Sequence, residues 1–229
     1  MRRAAIGALI VTVGLGSVAG VLFLAAFQLR LEWFADPAPM VTAGATSAEL
    51  LRWAAVADLV SYYLATGVLA YVLWTALRPR GPALADASAL GAFAYVLAGG
   101  VAASALAFVG PLLMHEHART GADQAAVAIA FGVLMEVVFS AIWQFLDPWF
   151  LAIWWLGVGL LMRADQPAFA RLSLALAVLA PIGALFTVLD LAVVRYAALG
   201  LAFPLWTVWS VWLLILLWQR RPPFALLPE

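Results

Sequence analysis

Hydrophobic residues fill long unbroken stretches of this chain, and short polar segments rich in arginine, proline and glycine separate them. Several stretches reach the roughly 20 residues that a helix needs to cross about 30 Å of hydrocarbon. They are continuous and rich in alanine and leucine, whereas a transmembrane barrel needs short segments of alternating polarity. The pattern predicts an all-α fold, a polytopic transmembrane helix bundle that forms a single domain over residues 1–229. The predicted stretches are 4–29, 49–77, 87–114, 123–162, 172–194 and 197–218.

The stretch 123–162 sets the number of crossings. Asp147-Pro148 is typical of a helix start, with aspartate as the cap and proline in the first turn. Arginines decide between one crossing and two, because cytoplasmic loops collect positive charge. With one crossing, eight of the twelve arginines fall on one side and four on the other; with two crossings the asymmetry reverses. We expect six spans and an outer-leaflet interfacial helix around 125–141, and a seven-span arrangement stays open.

The same arginine distribution predicts the location of the protein. The larger set of arginines forms dense pairs near both ends of the chain and in the loops that share their side. Under the positive-inside rule, this places the N- and C-termini in the cytoplasm. We therefore expect a multi-pass protein of a bacterial inner (plasma) membrane.

The amino-acid composition excludes several classes of cofactor and covalent chemistry. Only 10% of the residues are charged and 67% are hydrophobic, so a water-facing surface could not be covered. The absence of cysteine excludes disulfides, thiolate metal sites and iron–sulfur ligation, and the absence of lysine excludes a Schiff base. The two histidines, His115 and His117, lie in a polar turn rather than inside a span, where haem would need an axial ligand. We expect no cofactor, and the zero net charge without a basic run argues against nucleic-acid binding.

Three local patterns predict how the helices pack. Gly16 and Gly20 form a small-xxx-small face in the first helix, which permits close approach of a neighbour. The stretch 87–114 is rich in alanine and glycine, and we expect it inside the bundle for the same reason. Trp33 and Phe34 begin a polar segment, a position typical of the aromatic belt at the lipid headgroups.

The end of the chain carries a second aromatic pattern. A very short turn near Arg195-Tyr196 is expected to join the last two spans. Tryptophans at i+3 steps then drift slowly around one side of the final helix, which favours a lipid-facing stripe or a flat surface for a lipid, a pigment or a partner subunit. These tryptophans are Trp206, Trp209 and Trp212, with Trp218 near the end.

Ionisable side chains at membrane depth are costly and mark candidate functional positions. In the six-span arrangement several gather toward the outer half of the bundle. Arg52 and Asp58 do not stack on one helix face, so we expect pairing between spans, such as Asp58 or Asp190 with Arg52 or Arg195. The group forms either an outward-facing polar pocket or a set of interfacial residues that snorkel to water and hold the bundle together. Its members are Arg52, Asp58, Tyr62, Tyr63, Glu136, Trp143, Gln144, Asp147, Asp190 and Arg195.

The order of features also carries a resemblance. An arginine-led first helix is followed by a second helix that ends in Leu77-Arg78, and later by an aromatic-led span from Trp149 to Arg163. A proline-containing inner loop, 166–172, then precedes the last two spans. This order resembles a bacterial family of small multi-pass membrane proteins known only as a domain of unknown function. The resemblance implies an architecture, and it implies no activity and no site residues.

These observations favour a non-enzymatic membrane protein, either an accessory subunit or a helical bundle that binds lipid or a small ligand. Membrane lipids are the expected partners, together with another membrane protein subunit in the first case. Two alternatives stay open. One is a small transporter or channel that uses the outer-half aspartates and arginines. The other is a lipid-modifying membrane enzyme with Asp58, Glu136 or Asp147 as acid or base.

Overall fold

Six long helices make up most of the computed structural model, which describes residues 1–34, 36–189 and 191–228 without the side chains of 31, 34, 192–200, 203 and 226. No strand occurs in these residues. Five helices are long and apolar enough to cross a membrane, and the sixth is apolar over Pro204–Trp218. The predicted all-α, multi-pass architecture is therefore confirmed in this coarse form. The helices are α1 (Arg2–Ala26), α2 (Ala45–Arg80), α3 (Pro82–Ala118), α4 (Gln124–Met162), α5 (Pro167–Val188) and α6 (Ala192–Trp218).

Each helix packs against the next one in the sequence, and α6 packs back against α1, so the bundle is closed. Two buried clusters fill it. The larger one lies at the end that carries the chain termini and includes Trp154, Phe169 and Trp209. The second lies at the opposite end and includes Met40 and Phe131. Closure suits a chain in lipid, where every helix must find its packing partners among its neighbours.

The small side chains of α3 allow close approach on one face only. An added Cβ on Gly91 would lie 2.8 Å from the carbonyl oxygen of Phe150 in α4, and Ser88 donates a hydrogen bond to the Trp154 carbonyl at 2.9 Å. The opposite face of α3 exposes large apolar side chains such as Leu90 and Leu97. The predicted close packing of this helix is thus confirmed for its small-residue face, and its other face points outward.

The segment between α1 and α2 folds back over the bundle. It contains two short 3-10 helices, Leu31–Phe34 and Ala38–Thr42, and it buries Trp33 and Met40 in the second cluster. The Arg30 guanidinium lies 4.8 Å from the centre of the Trp33 ring, which adds a cation–π contact. The prediction that Trp33 contacts lipid headgroups is wrong, because protein covers this ring. The side chain of Phe34 lies outside the described residues.

Helix α4 runs without a turn through the whole stretch that the sequence divides at Pro148. Asp147-Pro148 does not start a new helix, so that prediction is wrong. A π-helical segment, Glu136–Leu146, ends immediately before Asp147, and its wider turn accommodates a proline that lacks an N–H and clashes with a regular turn. Residues 125–141 bury one face, including Phe131 and Val138, against the second cluster. Their position relative to the lipid stays a prediction.

The junction of the last two helices lies earlier than expected. Helix α5 ends at Val188 and α6 begins at Ala192, so the backbone of Arg195 and Tyr196 is helical rather than a turn. The N–H of Leu191 donates to the Phe186 carbonyl at 3.0 Å, which closes the end of α5.

The tryptophan stripe of α6 faces the bundle. Trp209 is fully buried, where its Nε1 donates to the Ser173 hydroxyl at 2.8 Å and its ring meets Trp154 edge-on. Trp206 and Trp212 are half-buried, and Trp218 alone of the four is largely exposed. The expectation of a lipid-facing stripe or an exposed aromatic surface is wrong for the first three, because α1, α4 and α5 surround that side of α6.

We expect Gly157→Ala to lower the free energy of unfolding by about 1–3 kcal/mol, because overpacking forces neighbouring groups apart. An added Cβ there would lie 2.7 Å from Ser88 Oγ on α3. Gly14→Ala is the matched control, since nothing lies within 4 Å of its added Cβ. Thermal unfolding in detergent measures both variants. Equal unfolding midpoints for the two would contradict the close packing of α3 on α4.

Candidate functional site

Two π-helical segments interrupt the regular helices in the middle of the bundle. In α2 the segment is Leu59–Leu64, where the N–H of Ala65 donates to the Val60 carbonyl five residues back. In α4 it is Glu136–Leu146, followed by Asp147, whose N–H donates to the Ile142 carbonyl. Such segments shift the direction of the side chains beside them and are frequent at functional sites. Here each one adjoins an aspartate, since half-buried Asp58 precedes the first and buried Asp147 follows the second.

A hydrogen bond joins the two segments across the bundle. The Tyr63 hydroxyl donates to Asp147 Oδ2 at 3.1 Å, and both side chains are almost fully buried. Gly99 of α3 makes room for this contact, because an added Cβ there would lie 2.7 Å from Asp147 Oδ2 and would overlap the Tyr63 ring. Three helices therefore meet at a single polar contact.

Each aspartate keeps a buried oxygen that accepts no hydrogen bond from the described residues. These atoms are Asp58 Oδ2 and Asp147 Oδ1. The two carboxyl groups belong to different helices of this centre, because Tyr63, the partner of Asp147, lies five residues after Asp58 on α2. An ionised carboxylate is costly to bury unless a cation or hydrogen-bond donors compensate it. The pair is therefore suited to hold a proton or another small cation.

Aromatic rings surround the acid pair on the side of α6. Tyr95 packs beside Tyr63 with ring centres 4.8 Å apart, and Trp206 lies 5.9 Å from Tyr95. The Trp206 ring also meets Tyr62 edge-on at 5.2 Å and Trp155 at 5.5 Å. The rings form a continuous wall along α2, α3, α4 and α6.

Tyr62 extends this wall to α1. An added Cβ on Gly16 would lie 2.9 Å from the Tyr62 Cζ, so the Tyr62 ring packs directly against this glycine. Gly20, the other member of the predicted small-residue face, is exposed with nothing within 4 Å of an added Cβ. One glycine of the pair therefore serves packing inside the bundle and the other does not.

Four of the ten sequence-predicted residues form this buried centre: Asp58, Tyr62, Tyr63 and Asp147. Trp143 and Gln144 lie in the adjoining π segment and are half-buried. Trp143 packs against Phe23 and Phe139, and its Nε1 finds no acceptor within the described part of the chain. Gln144 Oε1 likewise finds no donor there.

Two other predicted residues, Glu136 and Arg52, do not join the centre. Glu136 is exposed. Arg52 pairs with Glu49 on its own helix at 3.4 Å, and Glu49 also contacts His115 at 3.4 Å, so the expected pairing of Arg52 with Asp58 is wrong. The i, i+3 spacing makes Glu49 the nearer partner. Asp190 and the Arg195 side chain lie outside the described residues.

Sequence reasoning missed three parts of the site. Tyr95 and Gly99 are four residues apart on α3, so they share a face with the tyrosine beside the gap that the glycine leaves. The sequence signal for this pair is Tyr95 itself, an aromatic residue with a hydroxyl group in a helix that is otherwise rich in alanine. No sequence signal indicates the role of Trp206, because a tryptophan stripe has the same residue spacing whether it faces lipid or protein.

No family model, no curated protein and no solved structure matches this chain at a significant level. The resemblance to a family of multi-pass membrane proteins stays a prediction.

Replacing Tyr63 with phenylalanine should lower stability by about 1–3 kcal/mol, because it leaves Asp147 Oδ2 buried without its donor. Tyr71→Phe on the same helix is the control, since Tyr71 is exposed. Unfolding midpoints in detergent compare the two. In a double-mutant cycle, Asp147→Asn should change the effect of Tyr63→Phe, and strict additivity would show that the two groups do not interact.

Proposed function

We propose that this chain is a six-span protein of a bacterial inner membrane, with both termini in the cytoplasm, that binds and moves a monovalent cation, the proton in the first place. The observation that carries the proposal is the acid pair, half-buried Asp58 and buried Asp147. The two residues come from different helices, and each has an oxygen without a hydrogen-bond partner among the described residues. The transporter predicted from the sequence uses aspartates and arginines, whereas the present proposal uses two aspartates.

The depth of the pair supports this function. Tyr63 lies 17 residues before Arg80, and Asp147 lies 15 residues before Met162, which is roughly 22–26 Å along each helix at about 1.5 Å per residue. Arg80 pairs with Asp165, just beyond Met162, so these helix ends lie at the same level. Measured from that level, Asp147 falls within a hydrocarbon layer of about 30 Å, whereas Asp58, 22 residues before Arg80, lies about 33 Å away, at the outer edge of the layer. Carboxylates at such depth that face the bundle interior are typical of ion and proton pathways.

The continuity of α4 supports six crossings rather than seven. Two crossings by this stretch would need a turn between residues 124 and 162, and the described helix has none. With one crossing, the arginine-rich ends of the helices share a side with both termini, which agrees with the positive-inside rule. Helices of 37 and 39 residues are longer than the hydrocarbon layer is thick, so they tilt or extend into the headgroup region.

One argument for the accessory-subunit and lipid-binding functions no longer holds. It required an exposed tryptophan surface, whereas Trp206, Trp209 and Trp212 pack inward. Contact with membrane lipids and with another subunit stays a prediction, as does the lipid-modifying enzyme. The buried centre favours a function inside the bundle over one on its surface.

We expect the purified protein in liposomes to carry protons inward when a potassium diffusion potential drives them, as measured by an entrapped pH-sensitive dye. Asp58→Asn and Asp147→Asn should bring the flux close to that of empty liposomes, a loss of about tenfold or more, because an amide cannot bind and release the cation. Parallel arms with sodium and potassium gradients identify the cation that moves.

Asp123→Asn is the matched control for this flux. Asp123 is exposed and caps α4 through the N–H of Ala126 at 3.1 Å, and asparagine caps a helix as well. Its flux should equal that of the unchanged protein. Proton, sodium and potassium fluxes that all equal those of empty liposomes would overturn the proposed function.

Reporter fusions test the membrane arrangement separately. Green fluorescent protein fused at the C-terminus should fluoresce, because it folds in the cytoplasm, whereas alkaline phosphatase fused after Gly121 should be active, because that turn lies outside. A seven-span chain with the same N-terminal side would place the C-terminus outside and give a dark C-terminal fusion.

A further inference from the structure

A small polar cavity lies between α1, α2 and α6, on the other side of the Tyr62–Trp206 wall from Tyr95 and Tyr63. Its volume of about 20 Å³ is enough for about one water molecule. Five of its seven lining residues carry a hydroxyl group, which is unusual for a bundle composed mainly of aliphatic residues. The lining residues are Thr12, Val13, Ser17, Tyr62, Trp206, Thr207 and Ser210.

The base of the cavity contains an unsatisfied polar group. Ser210 is 1% exposed, and its hydroxyl has no hydrogen-bond partner among the described residues. Thr12, on the facing helix, donates its hydroxyl to the Ser61 carbonyl at 2.9 Å, which leaves its oxygen able to accept. A buried hydroxyl without a partner is costly, and a water molecule in a polar cavity of this size is the usual remedy.

The mouth of the cavity is polar as well. Ser17 and Thr207 are exposed at its edge, so hydroxyl groups run from the surface of the bundle to the base of the cavity. The Ser17 hydroxyl donates to the Val13 carbonyl at 2.7 Å, and its oxygen keeps the capacity to accept.

The inner wall of the cavity connects it to the acid pair. Tyr62 is four residues after Asp58 on the same helix, and the two groups interact electrostatically. Trp206 lines the cavity with one face and packs against Tyr95, which in turn packs against Tyr63, the partner of Asp147. A small movement of Tyr62 and Trp206 would join the cavity to the aspartates.

We propose that this cavity is a hydrated entry chamber, which holds water and admits a small monovalent cation before it reaches Asp58 and Asp147, with Tyr62 and Trp206 as the wall between the two sites. The role of the chamber in transport rests on the proposed function. Its hydration and its access to cations can be tested without any flux measurement.

The absence of native cysteine provides a clean test. In Ser210→Cys, silver ion, a small monovalent cation, should enter the chamber and replace the thiol proton. Ser173→Cys is the matched control, because Ser173 is equally buried but donates to the Phe169 carbonyl at 3.1 Å and accepts from Trp209. After silver treatment of proteoliposomes from either side, a fluorescent maleimide titrates the remaining thiol under denaturing conditions.

Ser210→Cys should react roughly tenfold faster than Ser173→Cys or more, since thiol reactivity follows access and local polarity. Thr12→Cys provides a second position in the same chamber if the Ser210 variant folds poorly. Equal inertness of the chamber thiols and of the Ser173 control would overturn the proposal, and so would equal fast reaction of all three.

Flux separates this proposal from the proposed function. Where the protein transports, silver modification of Ser210→Cys should reduce the flux about tenfold or more. A reactive Ser210 thiol in a protein without any flux would overturn the transport function and leave the hydrated chamber. Full flux with an unreactive thiol would overturn the chamber and leave the acid pair as the transport site.

Discussion

The hydrogen bond between Tyr63 and Asp147 fixes the position of three helices at once. In a lipid-embedded bundle a buried carboxyl group is costly without a donor, and α2 supplies that donor to α4 at 3.1 Å. Gly99 of α3 has to lack a side chain, because its Cβ would occupy the space of both groups. The rings of Tyr95 and Trp206 pack around this contact, so much of the middle of the bundle depends on it.

The two π-helical segments explain how so many polar groups reach one place. In α2 the irregular segment carries Ser61, Tyr62 and Tyr63 in succession: the Ser61 carbonyl contacts α1, the Tyr62 ring contacts α6 and the Tyr63 hydroxyl contacts α4. The Ser61 carbonyl accepts the Thr12 hydroxyl, so a neighbouring helix contributes to satisfying the altered backbone. Departures from regular helix are tolerated at membrane depth when they are enclosed by protein in this way.

Trp206, Trp209 and Trp212 of α6 pack inside the bundle rather than against lipid. Trp209 fills the space between α4 and α5 and satisfies its N–H with Ser173. The outward faces carry aliphatic side chains such as Leu90 and Leu97 instead. Polar chemistry is therefore concentrated inside the bundle, and this favours an internal cation site over a surface that recruits a lipid or a subunit.

The sequence by itself determined the six helical stretches, with boundaries within about six residues of the observed ones, because hydropathy and helix length are local properties of the chain. It also identified Asp58, Tyr62, Tyr63 and Asp147, since the cost of burying polar groups in lipid makes them conspicuous. Only the tertiary structure decided which of them meet. The rotation of each helix, the offset of each π segment and the gap at Gly99 arise from contacts between distant residues, so no local pattern reveals that Asp147 turns to Tyr63 or that Arg52 stays with Glu49.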